Sequence, residues 1–343
     1  MRLILIILFV CYHAYSHSYK TSKDINTYTT YMIYNSKLSH ILFVASSPKG
    51  ILYAGIQGKD SQNCVLEKTK PLKNGTLKCG VYSFKVKNGK LEKKYNLTLQ
   101  ESFTLQQQKS VYEYPLQQGK PISTITTSFQ CSDDINIQGL IELMYQKKFT
   151  CQNGKDLFYK DAENSMQTYI KNADIEHQTV ESFLEYNPLE EIVEDSLVYF
   201  DQKLLVFEKN GYLYTGGAHG ISEKWGVVLS RSEGLINLNE KINLNSQRLK
   251  TELWKKYQQY LKDTSYSATE PYIDFEDFKV SDSILLDYDG VIFVYQPYEI
   301  APYAAGIIEL KLPLKHFEKF ENFSDFPPLH HLFERNTHTT KGY

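Results

Sequence analysis

Nine residues constrain this chain more than any others: Tyr212 to Gly220, reading Tyr-Leu-Tyr-Thr-Gly-Gly-Ala-His-Gly. Tyr212 and Tyr214 alternate as one face of a strand. The strand then runs into Gly216, Gly217 and Gly220, where a backbone needs positive φ or close approach to another segment. Some eighty residues later, Phe293 to Leu310 reads Phe-Val-Tyr-Gln-Pro-Tyr-Glu-Ile-Ala-Pro-Tyr-Ala-Ala-Gly-Ile-Ile-Glu-Leu. There Pro297 and Pro302 bracket an aromatic loop that leaves one apolar strand and enters another. The two stretches are expected to meet and to build a surface out of loops.

The surrounding pattern predicts an α+β fold. Residues 17–155 read as mainly β. Ile41–Val44 and Ile51–Ala54 flank a Ser-Ser-Pro-Lys-Gly turn, and Asn88-Gly89 makes a hairpin. Gln106–Lys109 reads as a loop, and a second β block covers Ile122–Phe129 and Ile135–Phe149. From Asp161 to Tyr186 the spacing turns helical and stops at Asn187-Pro188. Strands follow at Ser196–Phe200 and Leu204–Glu208, with Asn210-Gly211 read as a further hairpin turn, and then at Trp225–Ser230. Ser246–Leu261 is an amphipathic helix with Leu249, Leu253, Tyr257 and Leu261 on one stripe. The last hairpin joins Ile284–Leu286 to Val291–Tyr295. The expected architecture is an antiparallel sheet with this one packed helix (156–324), preceded by a mainly β, disulfide-bearing domain (17–155) and followed by a loose tail (325–343).

Residues 1–16 read as a signal peptide: Arg2, the apolar run Leu3–Val10, and a small-residue site at Ala14-Tyr15-Ser16. No other stretch is apolar enough to span a bilayer. The expected location is periplasmic or secreted, in preference to a lipoprotein attached at Cys11. Four cysteines then remain: Cys64, Cys79, Cys131 and Cys151. An even set in an exported chain implies disulfides, with three connectivities open. Local pairing, Cys64–Cys79 and Cys131–Cys151, is preferred because each interval has hairpin size. A formal charge of -2 argues against nucleic acid as a partner. The 27 tyrosines suit both half-buried sheets and recognition surfaces.

Gly-Gly-Ala-His-Gly followed by Pro-Tyr-Glu-Ile-Ala-Pro-Tyr-Ala-Ala-Gly resembles an uncharacterised extracellular domain. It is typified by the outer region of the RsiV anti-sigma factor and found beside PdaC-type peptidoglycan deacetylases. The resemblance covers about Asp156 to Phe320. It implies recognition outside the membrane, with a lysozyme-like protein or peptidoglycan as the partner. The chain carries neither a cytoplasmic sigma-binding segment nor a deacetylase domain, so those roles are not implied.

Signatures of standard catalytic sites are absent. His219 has two readings: a base or ligand working with Glu299, or an imidazole that pins the glycine turn. The second is expected, leaving no catalytic residue, metal or cofactor assigned. The acidic run Glu190, Glu191, Glu194 and Asp195 lacks calcium-loop spacing and reads as a solvated strand edge. His330, His331 and His338 lie in the tail and are not expected to form a purposeful metal site. The candidate binding residues are Tyr298, Glu299, Tyr303 and His219. The expected function is a non-enzymatic binding or sensing module, with an envelope hydrolase or transferase using His219 and Glu299 as the alternative.

Overall fold

A computed structural model describes residues 27–313, together with residue 317. Short stretches at 36–37, 48, 58–61, 64–70, 80–81, 93–97, 118–119, 174, 176–177, 201–203, 265–271 and 287–289 are excepted. The signal peptide, Cys64, the tip of the last hairpin, the tail and its histidines lie outside the described residues.

The chain begins with β1 (Thr27–Asn35), β2 (Leu38–Ser47), β3 (Gly50–Gln57) and β4 (Gln62–Asn63). A small separate sheet follows, built from β5 (Gly75–Cys79), β6 (Tyr82–Lys87) and β7 (Lys90–Glu92). The Asn88-Gly89 turn joins β6 to β7, with positive φ at both residues as such a hairpin requires. Next come the long strand β8 (Thr98–Gln117) and β9 (Lys120–Cys131), and then helices α1 (Ile135–Tyr145), α2 (Gly154–Asn172) and α3 (Val180–Tyr186). Strands β10 (Glu190–Phe200), β11 (Leu204–Tyr214), β12 (Ile221–Ser230) and β13 (Gly234–Ile236) precede α4 (Leu238–Lys241) and α5 (Gln247–Asp263). A hairpin and a return strand close the described chain: β14 (Ile284–Leu286), β15 (Gly290–Tyr295) and β16 (Ile308–Pro313).

Ten strands form one sheet in the order β13-β12-β11-β10-β9-β8-β1-β2-β3-β4. The pairing is antiparallel except where β10 lies parallel to β9. A parallel neighbour cannot be reached by a hairpin, so the chain crosses over through α1, α2 and α3. The sheet therefore runs without a break across residue 155, which falls in the first turn of α2. One of its faces is covered by α1 and α2: Phe158 of α2 joins Phe129, Phe149 and the buried side of α1 in one core, and Ala162 and Met166 of α2 pack with Ile125 in another. On the other face, α5 and the β14-β15-β16 sheet enclose a larger core. Leu249, Leu253 and Tyr257 enter it as the stripe predicted, and the cap is Ser246, whose hydroxyl accepts from the Leu249 N–H.

Several local expectations fail, each for a physical reason. Ile135–Tyr145 is a helix and not a strand: Asp134 caps it, and the buried residues Ile137, Leu140, Ile141 and Met144 follow helical spacing. Gln106–Lys109 lies inside β8, opposite Ser128–Cys131, and Gln108 donates to the Cys151 carbonyl (2.7 Å). Asn210-Gly211 makes no turn. It sits mid-strand in β11, where the missing side chain leaves room for the Trp225 ring, 3.3 Å from where a Cβ would stand. The helical stretch 161–186 is two helices, α2 and α3. The acidic run is not a sheet edge, because β10 lies between β9 and β11. Asp195 in it is fully buried beside Lys209, Gln130 and Tyr145, whose hydroxyl donates to its carboxylate. The Cys131–Cys151 disulfide forms as expected, tying the end of β9 to the start of α2. Cys79 is also disulfide-bonded.

Candidate functional site

The two motif stretches meet at one end of the molecule. The first is the turn between β11 and β12, residues 215–220, and the second is the loop between β15 and β16, residues 296–307. Gly216 and Gly217 have φ of 97° and 90°, and the Tyr214 hydroxyl closes the turn on the Gly217 carbonyl (3.0 Å). Gly220 is needed for a different reason: a Cβ there would stand 2.5 Å from the Tyr212 ring. Across the gap, the Tyr303 hydroxyl donates to the Gly220 carbonyl (2.7 Å). The exposed His219 ring stacks on Tyr303, and its Nδ1 lies 3.1 Å from the same carbonyl. Tyr298 completes the aromatic group, 5.7 Å from Tyr303 between centroids and 52% exposed.

The second loop is held rigidly from beneath. The Tyr257 hydroxyl of α5 donates to the Ile300 carbonyl (2.6 Å), and the Glu299 carboxylate accepts the Gln296 N–H (2.8 Å). Gln296 bonds both ways to the backbone of Lys224 in β12, accepting its N–H (3.0 Å) and donating to its carbonyl (2.7 Å). The Lys224 ammonium bridges Glu309 (2.7 Å) and Glu208 (3.2 Å). Burial works against that charge, but the two carboxylates outweigh it and hold the ammonium above its ordinary range. Below this, Gly226 lets β12 pass under β14, since a Cβ would stand 2.2 Å from the Ile284 carbonyl oxygen. Within this frame Tyr298 takes φ 75°, a left-handed conformation that a bulky side chain avoids.

His219 and Glu299 are not brought together as a working pair. Glu299 turns back to Gln296 and lines a cleft of about 710 Å³ that His219 does not touch. Burial, with a smaller contribution from the Asp282 charge, raises the Glu299 carboxyl above the usual range. Among the described residues no group of three or more His, Cys, Asp or Glu side chains could hold a metal ion. No described helix is long and apolar enough to cross a membrane. Sequence reasoning missed the anchors Lys224, Gln296, Glu208 and Glu309. Gln296 and Glu309 stand 72 and 85 residues from Lys224 along the chain, beyond the reach of any local pattern.

With that geometry in place, the family match can be set on it. Residues 238–315 match the family described as "Protein of unknown function (DUF3298)". The DUF3298 segment thus contains α5, the cleft, the small β14-β15-β16 sheet and the Tyr298 loop, while the His219 turn lies outside it. Two solved DUF3298 proteins are similar to this chain. One, from Bacteroides fragilis NCTC 9343, shares 20% identity, covering 68% of this chain and 98% of that one with a TM-score of 0.47. The other, from Pseudomonas aeruginosa PAO1, shares 16% identity, covering 63% and 93% with a TM-score of 0.44. No curated protein matches the chain.

Proposed function

We propose that this chain is an exported, non-enzymatic recognition module of a bacterial envelope. Its contact surface is the aromatic end formed by His219, Tyr298 and Tyr303, and its partner is a lysozyme-like protein or peptidoglycan, as the RsiV-like motifs imply. The observation that carries this reading is Tyr298. An exposed aromatic side chain is held at positive φ by a doubly anchored loop between two prolines. Such strain raises the energy of the fold without filling its core, which is the mark of a residue kept for what it contacts. A stiff loop also loses little entropy when a partner docks. The test is sedimentation of the protein with purified peptidoglycan and a binding isotherm with lysozyme. Tyr298→Ala is expected to weaken the productive interaction by about 2 kcal/mol, the scale of an interface anchor. Binding of neither partner, or full binding by a folded Tyr298→Ala protein, would reject the reading.

A further inference from the structure

The cleft beside the Tyr298 loop is a separate feature with chemistry of its own. It shares Glu299 and Ile300 with the loop but excludes Tyr298, Tyr303 and His219. Its volume of about 710 Å³ lies within the range of ligand sites, roughly 300–1,000 Å³. Phe278, Tyr295 and Ile300, all buried, give it an apolar floor. Polar groups at the floor are already satisfied: the Tyr295 hydroxyl donates to the Lys279 carbonyl and the Ser281 hydroxyl to the Val294 carbonyl. A ligand therefore meets an apolar surface below and finds its polar partners at the rim.

That rim is unevenly charged. Asp277, Asp282 and Glu299 stand around it, and among the described residues none of the three forms an ion pair. Asp282 and Glu299 line the same cleft, and the Asp282 charge acts unfavourably on Glu299. Lys250 and Lys279 share the lining, so the carboxylates exceed the ammonium groups by one; Lys250 donates to the Glu276 carbonyl (2.9 Å) and lies over the Phe275 ring. Lys279 is exposed. An alkyl chain ending in a cation would cover the aromatic and aliphatic floor with its stem and relieve the Asp282–Glu299 repulsion with its head. We infer that this cleft receives an arginine or lysine side chain of a protein partner, with Asp282 and Glu299 holding the charge. The cleft and its charges stand on their own, whether or not the aromatic end binds peptidoglycan or lysozyme.

Trp254 provides a reporter, because its ring packs 5.3 Å from Phe278 in the cleft floor. The probe is an end-capped Gly-Leu-Arg-Gly peptide, followed by tryptophan fluorescence and calorimetry on the whole chain. Saturable binding is expected, weakened about tenfold by Asp282→Asn or by glutamine in place of the peptide arginine, the effect of losing one charge-assisted hydrogen bond. Glu299→Gln is the second variant, since its amide oxygen can still accept the Gln296 N–H and keep the loop in place. Lys279→Gln should tighten binding, and added salt should weaken it, neither of which a merely structural role predicts. Three results would overturn the assignment: no binding at millimolar peptide, equal binding by both carboxylate variants, or agmatine binding as tightly as the peptide. The last would make the occupant a small free amine. Tyr298→Ala should leave the peptide affinity unchanged, so failure here and failure of the aromatic surface are separately visible.

Discussion

The imidazole of His219 lies flat on the ring of Tyr303, with centroids 3.8 Å apart and planes within 18° of parallel. Two residues 84 positions apart in sequence thereby join the glycine turn to the proline-bracketed loop, and both address the Gly220 carbonyl. Removing the hydroxyl in Tyr303→Phe should cost about 1 kcal/mol, the net value of one such hydrogen bond. His219→Gln should cost less, because the ring is exposed. A double-mutant cycle in denaturant that pairs His219→Gln with Tyr303→Leu, which removes the ring as well as the hydroxyl, should give a coupling of about 0.5–1 kcal/mol between the two sites. Full additivity would mean the stack contributes nothing.

Tyr298 allows stability and recognition to be separated. Replacing it with glycine removes the positive-φ strain, a penalty of roughly 1–2 kcal/mol, at the expense of some unfolded-state entropy and the contact with Tyr303. Tyr298→Gly is therefore expected to melt at or above the wild-type temperature while losing partner binding. A clear drop in melting temperature would show that the side chain serves the fold.

At Gly226 the large sheet passes close against the backbone of β14 in the DUF3298 segment. A methyl group 2.2 Å from the Ile284 carbonyl oxygen cannot be absorbed by rotating a side chain, because the obstacle is backbone. Gly226→Ala should destabilise the protein by more than about 3 kcal/mol, well beyond an ordinary substitution. The adjacent Val227→Ala, on the opposite face of β12, should cost less. Thermal unfolding of the two variants side by side provides the comparison.

Asp195 predicts an unusual pH dependence. Burial pushes its carboxyl from 3.8 to about 6, against the opposing pull of the Lys209 charge and the hydrogen bonds from Tyr145 and Gln130. The folded state thus binds this proton more tightly than the unfolded chain does. The resulting stabilisation is fully present below pH 3.8 and is lost as pH rises through about 6. Measured against Asp195→Asn, wild-type stability should fall by about 3 kcal/mol between pH 3 and pH 8. Using the difference removes the other carboxylates, and it also separates the slope from the pH-independent effect of depriving Lys209 of its partner. A flat difference across that range would mean that Asp195 stays near its ordinary value.

The Cys131–Cys151 bridge closes a loop with a sequence separation of 20. In the chain-entropy account, closure of that size contributes about 3 kcal/mol. Cys131→Ala with Cys151→Ala should lower stability by about that amount, and non-reducing peptide mapping should recover the linked pair. Free thiols at both positions in the native protein would contradict the pairing.

What the sequence determined by itself is whatever a few neighbouring residues decide. The apolar stripe Leu249, Leu253 and Tyr257 placed α5, Asn88-Gly89 placed a hairpin, and Gly216-Gly217 marked a turn, because spacing and allowed φ are local properties. Even the meeting of the two motif stretches was legible, since glycines and prolines at strand ends announce loops. Only the tertiary structure decided the rest. Asn210-Gly211 carries the same turn signal as Asn88-Gly89, yet it runs straight because β10 and β12 pair with it on both sides and Trp225 occupies the space over the glycine. Asp195 sits in an acidic run that reads as solvated, yet it is buried because its strand became a central one, facing Lys209 and Tyr145 from elements that lie 14 and 50 residues away. The frame under Tyr298 has the same origin. Lys224, Gln296 and Glu309 have no reason to be special until two sheets are packed together, because a buried charge acquires its partners only when long-range packing brings them within hydrogen-bond distance.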